Sequence, residues 1–400
     1  MQRERPSLAV GIEAARRGDV AALEAWLAVG NDPNAFDEAG WSPLLWASVR
    51  GHHEAVGLLL GRGADPDLPH RVSGALPIYM AGHSGSVATT RVLLERRPDH
   101  LDAVMDMNGH TALPQAVFYG HLELARFLLE RGADTSITTA RGLGPMELCT
   151  QFQNKPMMDL VRPFDAPAER KAAYYQAYLE RIAPRIPPGE RPAQDLADRV
   201  VSAIENGIKE LLTTPESLDA CLARVAGLLE HGVDVNRLGG PLQQPPLIVA
   251  VTGNNGLPAV PAVAEFRLQT ALLLLERGAD PTLHEMHPMG AQTIIRGAVF
   301  NHLDILKACA LKLSPQKLAD AINEVPIVNG LTAMHDTVLR ATMAAPERFE
   351  GYLDQARFFV QNGGRVDLED FAGVTQRNLA ERNAAPAVRQ RLLGVLDGKI

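Results

Sequence analysis

Apolar positions in this chain fall at helical spacing in short paired bursts, neither as one long amphipathic run nor as strand-like alternation. In the clearest stretch Gly40 opens a turn, Ser42 can cap a helix, and Pro43 takes the first helical position, where its missing N–H costs nothing. Leu44 and Ala47 then make a short helix with small packing residues. Gly51-His52 interrupts it, and Val56, Leu59 and Leu60 form the buried stripe of a second, longer helix. That helix closes on a phrase that returns: LLGRGADPD ending at Asp67, LLERGADTS at Ser136, LLEHGVDVN at Asn236 and LLERGADPT at Thr282. Each time two leucines face the core and a Gly able to adopt the left-handed conformation stops the helix. The turn glycines Gly40, Gly74, Gly109 and Gly142 are 34, 35 and 33 residues apart. A period of that length predicts stacked helical repeats instead of one globular core.

These residues resemble the ankyrin repeat, whose pattern reads G-x-T-P-L-H-x-A-A-x-x-G-H-x-E-x-V-x-x-L-L-x-x-G-A-D-x-N. GWSPLLWASVRGHHEAVGLLLGRGADPD and GHTALPQAVFYGHLELARFLLERGADTS follow it closely. AARRGDVAALEAWLAVGNDPN fits as a degenerate first repeat, with Gly18 and Gly30 in the glycine positions. A third repeat has Arg97 where the helix-ending Gly belongs, and a partial fifth ends near Phe164. The pattern lapses, then returns with PPLIVAV from Pro245, GAQTIIRGAVF from Gly290, GLTAMHDTVLRA from Gly330 and GVTQRNLAERN from Gly373. GNNGLPAVPAVAEF and ATMAAPERFEGYLDQ interrupt this second half. The resemblance implies an all-α ankyrin-repeat solenoid of about nine helix-turn-helix repeats with a helical irregularity in the middle. Its parts are an N-terminal array at 1–164, an irregular helical junction at 165–214, and a divergent C-terminal array with a capping repeat at 215–400.

Within the junction, Tyr174, Tyr178 and Ile182 form one apolar stripe, and Leu196, Val200, Ile204, Ile208 and Leu211 form another after the break RIPPGERP. The segment reads either as an elongated repeat that keeps the stack continuous or as a junction between two arrays.

Composition narrows the class. With 46% hydrophobic and 22% charged residues the chain reads as folded. No apolar run reaches membrane-spanning length, and the N-terminal apolar patch is too short and interrupted for a secretory signal. Three widely spaced cysteines, Cys149, Cys221 and Cys309, argue against a disulfide framework and for a reducing, cytoplasmic setting. A net charge of −8 speaks against nucleic acid. Only seven of the 39 basic residues are lysine, and such arginine and alanine richness is associated with GC-rich bacterial genomes.

Ankyrin proteins bind partners with their turn tips and inner helices. Carried over, this makes Glu38, Trp41, Met107, Asn108, His110, Arg141 and Leu143 the tips, and Arg16, Arg17, Arg50, His83, Phe118, Tyr119 and Phe152 the inner-helix ends. Trp41, just after the turn glycine, has no evident core position and either packs on the neighbouring tip or Arg71 or offers its face to a partner. Trp26 and Trp46 fall on packing positions. His52, His121 and His302 occupy the slot of a structural His, and His335 the one that bonds the turn. HEMH at His284–His287 is one residue short of the H-E-x-x-H zinc helix, and no catalytic motif or cofactor fingerprint is present.

The expected function is therefore non-catalytic: a monomer holding one protein partner on its concave face, as a toxin-neutralising or enzyme-regulating binder or a host-directed effector. The alternative is an enzyme or small-molecule binder, with the second-half insertions closing a pocket over His287, His335 and Asp336.

Overall fold

The computed structural model describes all residues except 1–6, 106–107, 152–153, 184–186, 214–216, 253–259, 287–289, 327–329, 345, 372, 384 and 400, and the side chains of 151, 188, 343, 346 and 347. The chain divides into two compact units, one built on residues 1–181 together with 371–373 and the other on 182–370 and 374–400. Among the described residues both are helical, with isolated β-bridges and no strand.

The first unit stacks helix pairs: α1 (Leu8–Arg17) with α2 (Val20–Ala28), α3 (Pro43–Val49) with α4 (His53–Gly61), α5 (Pro77–Ser84) with α6 (Val87–Arg96), α7 (Ala112–Phe118) with α8 (Leu122–Glu130), and α9 (Pro145–Gln151) with α10 (Lys155–Val161). The first helices of successive pairs pack into an inner row and the second helices into an outer one. A final helix, α11 (Ala168–Ile182), covers the last pair. Its Lys171 is buried and reaches Glu147 Oε1 at 2.7 Å and Asp165 Oδ1 at 2.8 Å.

The second unit repeats the plan with α12 (Arg191–Thr213) and α13 (Leu218–Leu229), α14 (Pro246–Val251) and α15 (Pro261–Glu276), α16 (Thr293–Phe300) and α17 (Leu303–Ala310), α19 (Ala333–Met343) and α20 (Pro346–Gln361), and α21 (Gln376–Glu381) and α22 (Pro386–Leu396). Of the two helices read into the middle segment, α11 meets the first unit through Lys171 on Glu147 and Tyr175 beside Gly142, whereas α12 heads the inner row of the second, against α13 and α14. An extra helix, α18 (Pro315–Asn323), stands between α17 and α19 and has no counterpart in the repeat pattern. It is locally encoded all the same: Ser314 caps it, Pro315 opens it, and Leu318, Ala321 and Ile322 bury one face.

Local chemistry explains the helix boundaries. Ser42 Oγ accepts from the Leu45 amide at 3.3 Å, as a cap should. The turn glycines Gly40, Gly74, Gly109 and Gly142 have φ of 87°, 72°, 70° and 72°. Arg97, lacking that freedom, sits at φ −136° and turns the chain into the short 3-10 turn Pro98–Asp102.

The recurring phrase also staples one repeat to the next. Its Asp accepts from the amide two residues on, an Asx turn: Asp65 from Asp67 at 2.9 Å, Asp134 from Ser136 at 2.8 Å, Asp234 from Asn236 at 2.9 Å, Asp280 from Thr282 at 2.8 Å. An Asn then bridges forward to the following phrase. Asn34 donates to the Gly63 carbonyl at 3.0 Å and accepts from the Asp65 amide at 2.8 Å. Asn236 does the same with Gly278 and Asp280, and Asn323 with Gly363 and Arg365. Helix-end backbone groups that would otherwise be orphaned are thus satisfied between repeats.

Candidate interaction surface

The histidines read as structural join the inner row to the outer one. His52 Nε2 donates to the Arg16 carbonyl at 3.1 Å and His121 Nε2 to the His83 carbonyl at 2.9 Å, each reaching back one repeat. Those bonds fix where the ends of α1 and α5 lie, and so where their side chains emerge. His302 occupies the same slot but makes no such bond; its Nε2 is buried without a partner. The carbonyls at the end of α14 are taken instead by buried Arg267, whose Nη1 donates to Ala250 at 3.1 Å and to Thr252.

Along the inner row of the first unit, Arg16 lies in the last turn of α1, Arg50 ends α3, His83 lies in the last turn of α5, and Phe118 and Tyr119 end α7. The structure brings several of them together. His83 and Tyr119 rings meet edge-on at 4.3 Å, and Phe118 meets Tyr119 at 5.0 Å. Arg16 and Arg50 each place a guanidinium over the ring of Trp46, at 5.7 and 5.9 Å, a geometry that favours cation–π attraction. Arg16 and Arg17 share one carboxylate, Glu13, at 3.7 and 2.5 Å.

Two expectations are corrected here. Trp41 is 4% exposed: its ring folds back on Trp46 at 4.4 Å and His70 at 4.8 Å, so it has a core position after all. Trp46, read as packing, is only partly buried and forms the surface between the two arginines, with Nε1 donating to Asp37 at 3.1 Å. The signal for this was available, since Trp46 and Arg50 are four apart on one helix and share a face. His83 is 3% exposed, and burial, reinforced by His121 and Arg50, lowers its pKa to about 3. It is therefore a neutral ring, and the positive charge of the strip belongs to the arginines. At the tips, His110 is half-buried and bonds Gln115 at 3.1 Å, and Asn108 is buried on the Tyr79 hydroxyl at 2.9 Å. Phe152 and Met107 lie outside the described residues.

The second unit presents no corresponding aromatic strip among its described residues. Its inner row buries charge: Glu285, the acid of the HEMH run, pairs with Arg296 and Gln244. His335 is fully buried, accepting from Thr332 Oγ1 at 2.9 Å and donating to the Val374 carbonyl at 3.0 Å. It is a capping and stacking residue, and His287 lies outside the described residues, so the cluster that a catalytic pocket required is not assembled among them. Among the described residues no three His, Cys, Asp or Glu side chains converge as metal ligands. Burial pushes the Cys149 and Cys309 thiols up to about 12, which leaves them unreactive. Among the described residues no helix is long and apolar enough to cross a membrane.

The family model for ankyrin repeats (3 copies) matches residues 12–99 and 50–139. Cyclin-dependent kinase 4 inhibitor B from Mus musculus is 33% identical over 115 residues, which are 29% of this chain and 86% of that one. The chain belongs to the ankyrin-repeat family. Human NF-kappa-B inhibitor alpha is 32% identical over 99 residues, 24% of this ankyrin protein and 31% of the relative. The mitochondrial disaggregase of Bos taurus is 27% identical over 176 residues, 43% of this chain. The chain spans 25% of that disaggregase and 11% of the mouse ankyrin repeat and SAM domain-containing protein 6.

Proposed function

We propose that this ankyrin protein is a non-catalytic binding module that regulates a protein partner held against the inner row of its first unit. The observation that carries the reading is the strip itself: a partly buried Trp46 between two guanidiniums, continued by Tyr119 and Phe118. Trp, Tyr and Arg are the residues from which binding hot spots are made. Two of the similar proteins are named as inhibitors, which supports regulation of a protein partner over passive scaffolding. Toxin neutralisation and host-directed action are narrower forms of the same reading, and a cytoplasmic monomer fits each. The test is affinity capture from the native cell with the unaltered chain and with the Phe118→Ala, Tyr119→Ala variant. The variant is expected to keep its helical content and lose the captured protein. Equal capture by both would overturn the assignment, and a variant that unfolds would show that these rings are core.

A further inference from the structure

A groove of about 440 Å3 opens on the outer row of the second unit, between α15, the turn into α17, α17 itself and the start of α20. Pro261, Ala264, Leu268 and Ile305 give it an apolar lining. Gly351 lets α20 come close to the Asn301 amide; a side chain there would collide with it.

The charge of its walls is one-sided. Glu265 and Asp304 line it, and among the described residues no Lys or Arg does. Glu265 is exposed and, among the described residues, accepts only from the neutral Gln269, at 2.8 Å. Asp304 is exposed in the first turn of α17, where the helix dipole favours it without a side-chain partner. Arg267 of α15 is buried and turned to the α14 carbonyls, and Lys307 of α17 is exposed further along the helix that carries Asp304. His302, also in the wall, has its pKa lowered to about 4 by burial and stays neutral at pH 7. Some carboxylates of the same unit are neutralised, as Glu350 is by Arg391 and Asp367 by Arg365.

We propose that this groove docks a basic, amphipathic helical segment of a protein partner. One Arg or Lys lays its methylene stem along Ala264 and Leu268 with its charged head toward Glu265 and Asp304, and an aliphatic residue one turn away covers Ile305. Long basic side chains suit such a surface because stem and head separate apolar from charged contact. This surface is independent of the inner-row strip, being on the other unit and the other row.

The test titrates the full-length protein with a synthetic helical peptide carrying Arg and Leu four positions apart, and with the same peptide carrying citrulline in place of Arg. Binding is read by fluorescence anisotropy, and its location by methyl NMR of Leu268 and Ile305. The Arg peptide is expected to bind and shift both methyl signals. Glu265→Gln with Asp304→Asn is expected to weaken it by roughly fivefold per carboxylate at low salt, with the melting midpoint unchanged. Citrulline in place of Arg should cost as much as the double variant. Equal affinity of the two peptides, an unaffected double variant, shifts confined to other residues, or no binding would each overturn the proposal.

Discussion

Trp41 and Trp46 stack at 4.4 Å with an interplanar angle of 23°, yet one is core and the other is surface. The position after a turn glycine looks external in one dimension; what buries Trp41 is a pair of tertiary neighbours, His70 from the next tip and Phe371, whose ring meets it edge-on at 4.7 Å. Trp41→Ala should therefore cost about 3 kcal/mol in urea unfolding, the scale of a buried Trp truncation, and Trp46→Ala markedly less. Gly132 was legible from the phrase alone: its φ of 85° is left-handed, and open space surrounds the place of a Cβ. Gly132→Val should cost about 1–2 kcal/mol through backbone strain only, read as a lowered melting midpoint. His335 supplies a pH prediction. Burial lowers its pKa from 6.5 to about 4, so between those values the unfolded chain binds the proton that the folded one refuses. Stability should be full above pH 6.5 and decline as pH falls toward 4. A pH series of urea midpoints checks this, with His335→Gln showing a shallower slope over that window.

At the scale of the element, helix pairs were readable because each carries its own start and stop. Caps, opening prolines and left-handed glycines act within a few residues, which is why α3, α4, α7 and α8 match the phase of the repeats. Contacts between repeats were less readable. The histidine rule held for His52 and His121 but not for His302, where Arg267 of the lengthened α15 has taken the carbonyls at the end of α14. Nothing in a sequence period announces a substitute donor arriving from another helix. Arg267→Met should leave those carbonyls without their charged donor and cost about 2 kcal/mol. It should also raise the pKa of His302, which Arg267 helps hold down, an outcome that NMR titration of the imidazole reads directly. α18 was overlooked for the opposite reason: its signals are local and complete, but they lie outside the repeat phase.

At the scale of the molecule, each unit is a stack whose repeats cannot bury their apolar faces alone, so stability is a sum over neighbours. The repeat phase carried the architecture of both units, while the interaction strip emerged only when the ends of α1, α3, α5 and α7 were placed side by side. The inner row of the first unit is where we propose that the partner is held. The most direct measurement is amide hydrogen exchange on the full-length chain, alone and bound to the captured partner. Slowed exchange at the ends of α3, α5 and α7, with α4, α6 and α8 unchanged, is the predicted result. Protection confined to the outer helices, with the inner row exchanging as in the free chain, would contradict it.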